Sequence, residues 1–239
     1  MANYNGTEWA DYIFGTTDVD VINGNQGDDT IISGNDDIFT SERGEEAFEI
    51  IGDQVHGNSG NDIIHGGDGN DLLWGDSGND TLVGGFGQDT IYGGSGNDTF
   101  RAVRYDHTFD IIDGGSGFDT LDLSSASGRI TSNFAFGIAT AGDATSYFFG
   151  SIEHLILGTG DDYARGDHRD NVVNGYAGND EISGHSGNDT IDGGHGDDTL
   201  LGGSGADIIS GGDGAELLEG GVGIDLLRGG EDDDRLFGG

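Results

Sequence analysis

The feature that most constrains this chain is a nine-residue repeat that runs through most of its length and keeps its phase over long stretches. From Gly57 to Arg101 the sequence divides into GNSGNDIIH, GGDGNDLLW, GDSGNDTLV, GGFGQDTIY and GGSGNDTFR. From Gly166 to Phe237 a second array begins GDHRDNVVN, GYAGNDEIS, GHSGNDTID. A shorter array fills residues 6–32, and one copy fills residues 114–122. Such a period indicates a solenoid, in which each unit packs on its neighbours.

The consensus of these units is G-G-x-G-x-D-x-(aliphatic)-x, and it resembles the RTX, or haemolysin-type calcium-binding, repeat. One copy would be weak support, but many copies in one phase leave almost no room for chance. The resemblance covers most of the chain except roughly residues 33–52 and 123–157. It implies an all-β fold, a parallel β-roll with two strands per coil, in two blocks of nonapeptide repeats.

Each position of the repeat has a physical role. Glycine at positions one, two and four permits the positive φ angles of a tight turn. Positions seven to nine form a short strand, and the apolar side chain at position eight points inward by the period-two rule. One unit is therefore half a coil. Position-six residues eighteen apart then lie above one another at one edge, about 4.8 Å apart.

The position-six residues form two ladders in each long array. In the first array the two edges carry Asp62, Asp80 and Asp98, and Asp53, Asp71 and Asp89. In the second they carry Asp162, Asp180, Asp198, Glu216 and Asp234, and Asn171, Asp189, Asp207 and Asp225. Neighbouring carboxylates at this spacing repel by about 1 kcal/mol in water and about 3 kcal/mol at a surface-like dielectric. The ladders therefore need a cation. Calcium suits all-oxygen ligands, whereas zinc prefers His or Cys.

In RTX proteins each calcium ion lies between the turns of adjacent coils. It is held by the Asp and the carbonyls of positions two and four of one turn, and by the Asp and the carbonyls of positions one and three of the next. The resemblance implies about ten ions here. The implied carboxylate ligands are Asp11, Asp29, Asp53, Asp62, Asp71, Asp80, Asp89, Asp98, Asp110, Asp119, Asp162, Asp180, Asp189, Asp198, Asp207, Asp225 and Asp234. The other implied metal-site residues are Asn58, Gly60, Gly67, Gly69, Gly75, Asp76, Ser77, Gly78, Gly84, Phe86, Gly93 and Ser95 in the first block, and Tyr176, Gly178, His185, Gly187, Gly193, Gly194, His195, Gly196, Gly202, Gly203, Ser204, Gly205, Gly220 and Val222 in the second.

Several turns depart from the consensus. Asn171 lacks the charge of its ladder, and Glu216 is one methylene longer than Asp, so Glu216 is expected to bind weakly or not at all. Between Arg101 and Gly114 the phase slips by three residues, and Asp110 recovers it. Position four is not glycine in the turns that contain Trp9, Asp18, Arg169 and Asp232.

The two blocks are separated by a segment of different composition. The first block is predicted to span residues 1–122, with an inserted loop at about residues 33–52 whose acidic stretch indicates a bulged loop or a short helix. Residues 123–157 are rich in Phe and Tyr and poor in carboxylates. This predicts antiparallel strands that cap the first block and link it to the second, residues 158–239. Capping is favoured over ligand binding because an open roll end exposes unpaired strand edges.

Composition limits the partners of the chain. It has 46 acidic residues against 8 Lys and Arg, a formal net charge of −38. It therefore has little with which to neutralise the phosphates of nucleic acid or an anionic membrane surface. No apolar run approaches transmembrane length. With 33% hydrophobic residues and 50 glycines, apolar burial alone is not expected to supply the whole folding free energy.

No catalytic motif is present: the sequence contains no H-E-x-x-H, no G-x-S-x-G and no EF-hand loop. The chain is therefore expected to be a non-enzymatic calcium-binding module. The resemblance implies a secreted or cell-surface bacterial protein that passes type I secretion machinery and folds on binding extracellular calcium. Two alternatives stay open. One is an accessory calcium-binding or secretion domain of a secreted enzyme of the metalloprotease, lipase or alginate epimerase type, and the other is an adhesin module.

Overall fold

The computed structural model describes residues 2–15, 20–27, 29–32, 52–103, 108–126, 128–142 and 146–239. All regular structure in these ranges is β-strand. The chain divides into two compact units, Met1–Asp119 and Thr120–Gly239. The bulged loop or short helix expected at about residues 33–52 lies outside the described residues, apart from Gly52, and so does the turn residue Asp18. The domain boundaries expected at residues 122 and 157 stay a prediction.

The first unit consists of two parallel sheets whose strands alternate along the chain. One sheet has, in spatial order, β1 (Ala2–Asn5), β3 (Asp20–Gln26), β5 (Gln54–Ser59), β7 (Leu72–Ser77), β9 (Thr90–Ser95) and β11 (Phe109–Ser116). The other has β2 (Tyr12–Phe14), β4 (Thr30–Ile32), β6 (Ile63–Asp68), β8 (Thr81–Phe86) and β10 (Thr99–Arg101). Each coil therefore contributes one strand to each sheet, which confirms the parallel β-roll.

The second unit repeats this architecture and adds an antiparallel part. One sheet has β15 (Ser146–Gly150), β14 (Ile138–Thr140), β13 (Thr131–Asn133), β17 (Tyr163–Arg165), β19 (Glu181–Ser186), β21 (Thr199–Ser204), β23 (Leu217–Val222) and β25 (Arg235–Phe237). The other has β12 (Thr120–Asp122), β16 (His154–Ile156), β18 (Val172–Asn174), β20 (Thr190–His195), β22 (Ile208–Asp213) and β24 (Leu226–Glu231). Antiparallel pairing joins β13 to β14 and β14 to β15, as expected for part of this segment.

Strand register confirms the eighteen-residue coil. Val55 pairs with Leu73, and Ile182 pairs with Leu200. Where the phase slips, Ile91 pairs with Ile112, so this coil absorbs three extra residues without loss of register. Because strands pair in register, side chains that share a repeat position stack directly above one another.

The core of the repeat coils in each unit is a narrow column of side chains from position eight. Along a strand such as β8 this side chain is buried while its neighbours are partly exposed. The buried position-eight residues are Ile22, Ile31, Val55, Ile64, Leu73, Leu82, Ile91, Phe100 and Ile112 in the first unit, and Leu121, Leu155, Ala164, Val173, Ile182, Ile191, Leu200, Ile209 and Leu218 in the second. With one side chain per half coil, the repeats bury little apolar surface, so the turns must contribute to stability.

The described ranges contain no helix with the length and apolar character needed to cross a membrane.

Candidate metal sites in the turns

The position-six carboxylates form continuous ladders along the edges of both units. In each step, one oxygen of an Asp accepts the main-chain N–H of the position-six residue one coil earlier. Asp62 donates to Asp80 Oδ1 and Asp80 to Asp98 Oδ1, both at 2.8 Å. The same bond joins Asp180 to Asp198 at 2.8 Å. The structure therefore stacks position-six residues that are eighteen apart in sequence, with Oδ1 used to hold the register of the coils.

The second oxygen of these side chains faces the gap between coils. Most of the ladder carboxylates are buried, for example Asp80 of the first unit at 1% exposure and Asp198 of the second unit at 2%. Oδ2 is buried and has no hydrogen-bond partner in Asp80, Asp98, Asp180, Asp189, Asp198, Asp207 and Asp225. A buried carboxylate oxygen without a donor is costly, so these oxygens fit a site that is completed by a cation.

Main-chain carbonyls converge on the same gaps. Gly193 has no Cβ, and the space that a Cβ would fill is surrounded by oxygen atoms. The carbonyl oxygen of Gly211 lies 2.7 Å from that point, and Asp198 Oδ2 lies nearer still. The position-one carbonyl of Gly211 thus points toward the previous coil. Carbonyls from position four point toward the next coil, since a Cβ at Gly205 would overlap the carbonyl oxygen of Gly187. The position-three carbonyl of Ser204 accepts the N–H of Gly187 at 3.0 Å and retains a second lone pair. Each gap thus offers oxygen ligands from both coils.

The chemistry of these ligands favours a hard divalent cation. In the part of the chain that the structure describes, no three His, Cys, Asp or Glu side chains form a cluster able to hold a metal ion. A gap instead combines two carboxylates with several carbonyls, which is the all-oxygen set that calcium accepts at flexible geometry. Zinc, which prefers His and Cys, does not fit this set.

Burial raises the pKa of the ladder carboxyls because it penalises their charged form. The pKa rises to about 7 for Asp80 and Asp180, and to about 6 for Asp189 and Asp198. The N–H that each carboxylate accepts opposes the shift, and neighbouring carboxylates, mostly in the same ladder, add to it. Without a cation, the folded ladder therefore holds protons that the unfolded chain would release at neutral pH.

A pH dependence follows from these shifts. An acid whose pKa is raised on folding favours the folded state below its unfolded pKa, and this contribution is lost as pH rises through the folded pKa. For Asp180 this window runs from 3.8 to about 7. Metal-free protein should therefore gain β structure on acidification from about pH 7.5 to about pH 5, while its apparent calcium affinity falls because protons compete for the same oxygens. Circular dichroism of resin-stripped protein checks the first effect, and a fall in β signal on acidification would contradict it.

Glu216 occupies a ladder position where the other steps have Asp. Both of its carboxylate oxygens are buried without a hydrogen-bond partner, whereas Asp198 leaves one such oxygen. Burial, and then the neighbouring carboxylate of Asp234, raise the pKa of Glu216 to about 7. Weak or absent binding at Glu216 stays a prediction. The longer side chain nevertheless presents two oxygens to its gap.

The turns fall into two classes, which the sequence did not separate. In open turns the position-two residue has a left-handed φ, for example 74° at Asn58 and 77° at His185. In closed turns it does not, and its N–H donates instead to the position-six side chain. Among the turns that the structure describes, three are closed, and their donor and acceptor pairs are Thr7 to Asp11 Oδ2, Gly158 to Asp162 Oδ2 and Asp167 to Asn171 Oδ1.

Arg169 supplies a positive charge to the third closed turn. Its Nε donates to Asp167 Oδ2 at 3.0 Å, and its Nη1 lies 3.3 Å from Glu153 Oε1. Burial raises the pKa of Asp167, but the main-chain N–H and the guanidinium of Arg169 outweigh this effect and bring that pKa below its usual range. A side-chain cation therefore lies in this turn, where the ladder residue Asn171 is uncharged.

A second ladder, at position five, was missed from the sequence. The N–H of Asn79 donates to Asn61 Oδ1, and that of Asn97 donates to Asn79 Oδ1, both at 2.7 Å. In the second unit the N–H of Asp197 donates to Asn179 Oδ1 at 2.9 Å. These side chains reach toward the next coil, whereas the position-six side chains reach toward the previous one. The frequent Asn or Asp before the consensus Asp was the available signal.

Comparison with known proteins agrees with this geometry. A family model described as the RTX calcium-binding nonapeptide repeat matches residues 5–39, 52–82, 74–102, 109–124, 156–191, 174–209 and 210–239, well over half of the chain. A comparison with curated proteins found no match.

Proposed function

Since the chain belongs to the RTX calcium-binding repeat family, we propose that it is a non-enzymatic calcium-binding module of a secreted or cell-surface bacterial protein. In this proposal the chain folds by binding extracellular calcium. The observation that carries it is the row of buried Asp Oδ2 atoms without hydrogen-bond partners, each facing a gap rich in carbonyl oxygens. Such a row is unfavourable without a cation and favourable with one.

The proposed ligands of one ion come from two open turns that are stacked on the same edge, one coil apart. For the gap between Asp189 and Asp207, they are the carboxylates of these two residues and the carbonyls of His185, Gly187, Gly202 and Ser204. Such gaps suggest about ten ions in the chain. Asp11 and Asp162 are left out of the proposed set, because main-chain N–H groups already bind their Oδ2 atoms.

The charge of the chain supports folding outside the cell. A chain of net charge −38 with stacked carboxylates resists compaction where calcium is scarce. An unfolded chain of this kind suits passage through type I secretion machinery. Sites built from a few carboxylates and carbonyls bind calcium at about 0.1–1 mM, as in extracellular modules. Calcium outside the cell then supplies folding free energy that the narrow core does not.

Isothermal titration calorimetry tests the proposed function. Titration of metal-free protein should show about ten calcium ions bound with an affinity in the range of about 0.1–1 mM. Magnesium at the same concentration should produce little heat, because it demands stricter geometry and dehydrates reluctantly. Equal responses to the two ions, or no saturable calcium binding, would overturn the proposal.

A double-mutant cycle tests which carboxylates share an ion. Asp180 and Asp198 lie on one edge, and the Asp180 N–H donates to Asp198 Oδ1 at 2.8 Å. Because both carboxylates are proposed ligands of the same ion, Asp180→Ala and Asp198→Ala should be less than additive in calcium titrations, with a coupling of about 0.5–3 kcal/mol. The matched control pairs Asp198→Ala with Asp189→Ala, which lies nine residues away on the opposite edge and should be nearly additive. Stronger coupling in the control pair would contradict the assignment of ligands.

A further inference from the structure

The second unit contains two parts that differ in how their folded state is stabilised. Among the described residues, fourteen apolar side chains of residues 120–174 are buried, against five in residues 175–239. Residues 120–174 carry seven acidic and three basic residues, and residues 175–239 carry fifteen and two. The first part therefore buries more apolar surface and carries less repulsion, and both differences favour folding without a cation.

The packing of the first part is that of an ordinary core. Three aromatic side chains are buried here: Phe134, which follows β13, and Tyr147 and Phe149 of β15. The rings of Phe134 and Phe149 meet edge to face with centroids 5.6 Å apart. Aromatic side chains bury far more apolar surface than the single aliphatic residue that each half coil supplies elsewhere. β13 then pairs with β17 of the first coil.

Both turns of that first coil, residues 157–174, are closed. At one edge, Asp162 Oδ1 accepts the N–H of Ile130 at 2.6 Å and Oδ2 accepts that of Gly158 at 3.1 Å. This carboxylate therefore has two main-chain donors. The coil is thus joined to the antiparallel strands through a carboxylate that needs no ion.

At the other edge, Asn171 removes the ladder charge and Arg169 adds a positive one. The Asp167 carboxylate is buried at 4% exposure and is held by the main-chain N–H and the Nε of Arg169. Apart from the turn that contains Thr7, the other repeat turns whose position-two residue the structure describes have a left-handed φ there and are open. Residues 157–174 are therefore a coil in which both edges are satisfied by the protein itself.

We propose that residues 120–174 form a calcium-independent nucleus, which stays folded when calcium is removed and on which the calcium-dependent coils of residues 175–239 assemble. The N–H groups of Asp162 and Asn171 donate to Asp180 Oδ1 and Asp189 Oδ1, each at 2.8 Å. The nucleus thus presents a preformed strand edge and one donor to each ladder of the first open coil. The assembly step rests on the proposed function, whereas the stability of the nucleus in chelator does not.

Hydrogen exchange of the full chain, read by mass spectrometry in chelator and in calcium, tests the nucleus. In chelator, amides of β13, β17 and β18 should exchange at least about tenfold more slowly than in an unfolded chain, while those of β20 to β23 should exchange at unfolded rates. In calcium both groups should be protected. If both groups exchange at unfolded rates in chelator, the nucleus is overturned and the calcium-binding function stands. If chelator changes neither group, the proposed function fails.

A variant that converts one closed turn into an open one tests the role of the turn. Combining Asp167→Gly, Arg169→Gly and Asn171→Asp restores the repeat consensus. In chelator, exchange of β18 should then accelerate by at least about tenfold, and calcium should restore protection. Arg228→Ala removes the same charge from an exposed position on β24 and should leave β18 protected. Unchanged protection of β18 in the triple variant, or an equal loss in Arg228→Ala, would overturn the assignment of the closed turn.

Discussion

Removal of calcium is expected to unfold the open coils of both units, and calcium at about 0.1–1 mM is expected to restore them. Within the open ladders, neighbouring carboxylates repel by about 3 kcal/mol per step at a surface-like dielectric. Several such steps exceed the net stability of about 5–15 kcal/mol that a domain usually has. The partnerless oxygens of Asp80, Asp180 and Asp198 add desolvation to this repulsion. Calcium reverses both terms, so its binding free energy is folding free energy.

Far-UV circular dichroism with chelator followed by calcium measures this transition. Sodium chloride of equal ionic strength is the control, because screening acts on exposed charges and leaves buried ones, such as Asp198 at 2% exposure, largely unaffected. Calcium should raise the β signal cooperatively, and salt should not. A residual signal in chelator is expected from residues 120–174. A β signal that chelator leaves at its calcium-bound level would contradict the expectation.

Gly205→Ala is expected to be among the most damaging single methyl additions in the second array. Gly205 has a φ of 145°, which a side chain rarely adopts, and a Cβ there would overlap the carbonyl oxygen of Gly187 in the coil before. Backbone strain alone contributes about 1–3 kcal/mol. The forced separation of two coils would also pull carbonyl ligands away from their gap. The variant should lose about 3 kcal/mol or more of folding free energy.

The midpoint of calcium-induced folding measures the effect of Gly205→Ala. The midpoint should move to markedly higher calcium than in the unmodified chain, because more binding free energy is needed to offset the strain. Gly238→Ala is the matched control, since no atom lies within 4 Å of the position of its Cβ. Equal midpoints for Gly205→Ala and the unmodified chain would mean that the coils do not stack as closely as described.

The repeat alone determined the strands, the coil length and the ladders. A residue every nine positions can face only one of two edges in an eighteen-residue coil, so the stacking of Asp180 on Asp198 follows from spacing. The inward side chain at position eight follows from the alternation of a strand. These features depend on local periodicity, which is why they were predictable residue by residue, even through the phase slip before Asp110.

The difference between open and closed turns was decided by tertiary structure. Gly158, Gly67 and Gly85 are all glycines at position two of the repeat. Gly67 and Gly85 adopt the left-handed φ, whereas the backbone at Gly158 turns its N–H toward Asp162. What differs is the neighbouring strand: the N–H that Asp162 Oδ1 accepts comes from Ile130, thirty-two residues away, and Ile130 brings no second carboxylate to that gap. A repeat motif encodes which groups occur in a turn. Whether those groups bond to one another or leave oxygens for a cation depends on what the fold places beside the turn.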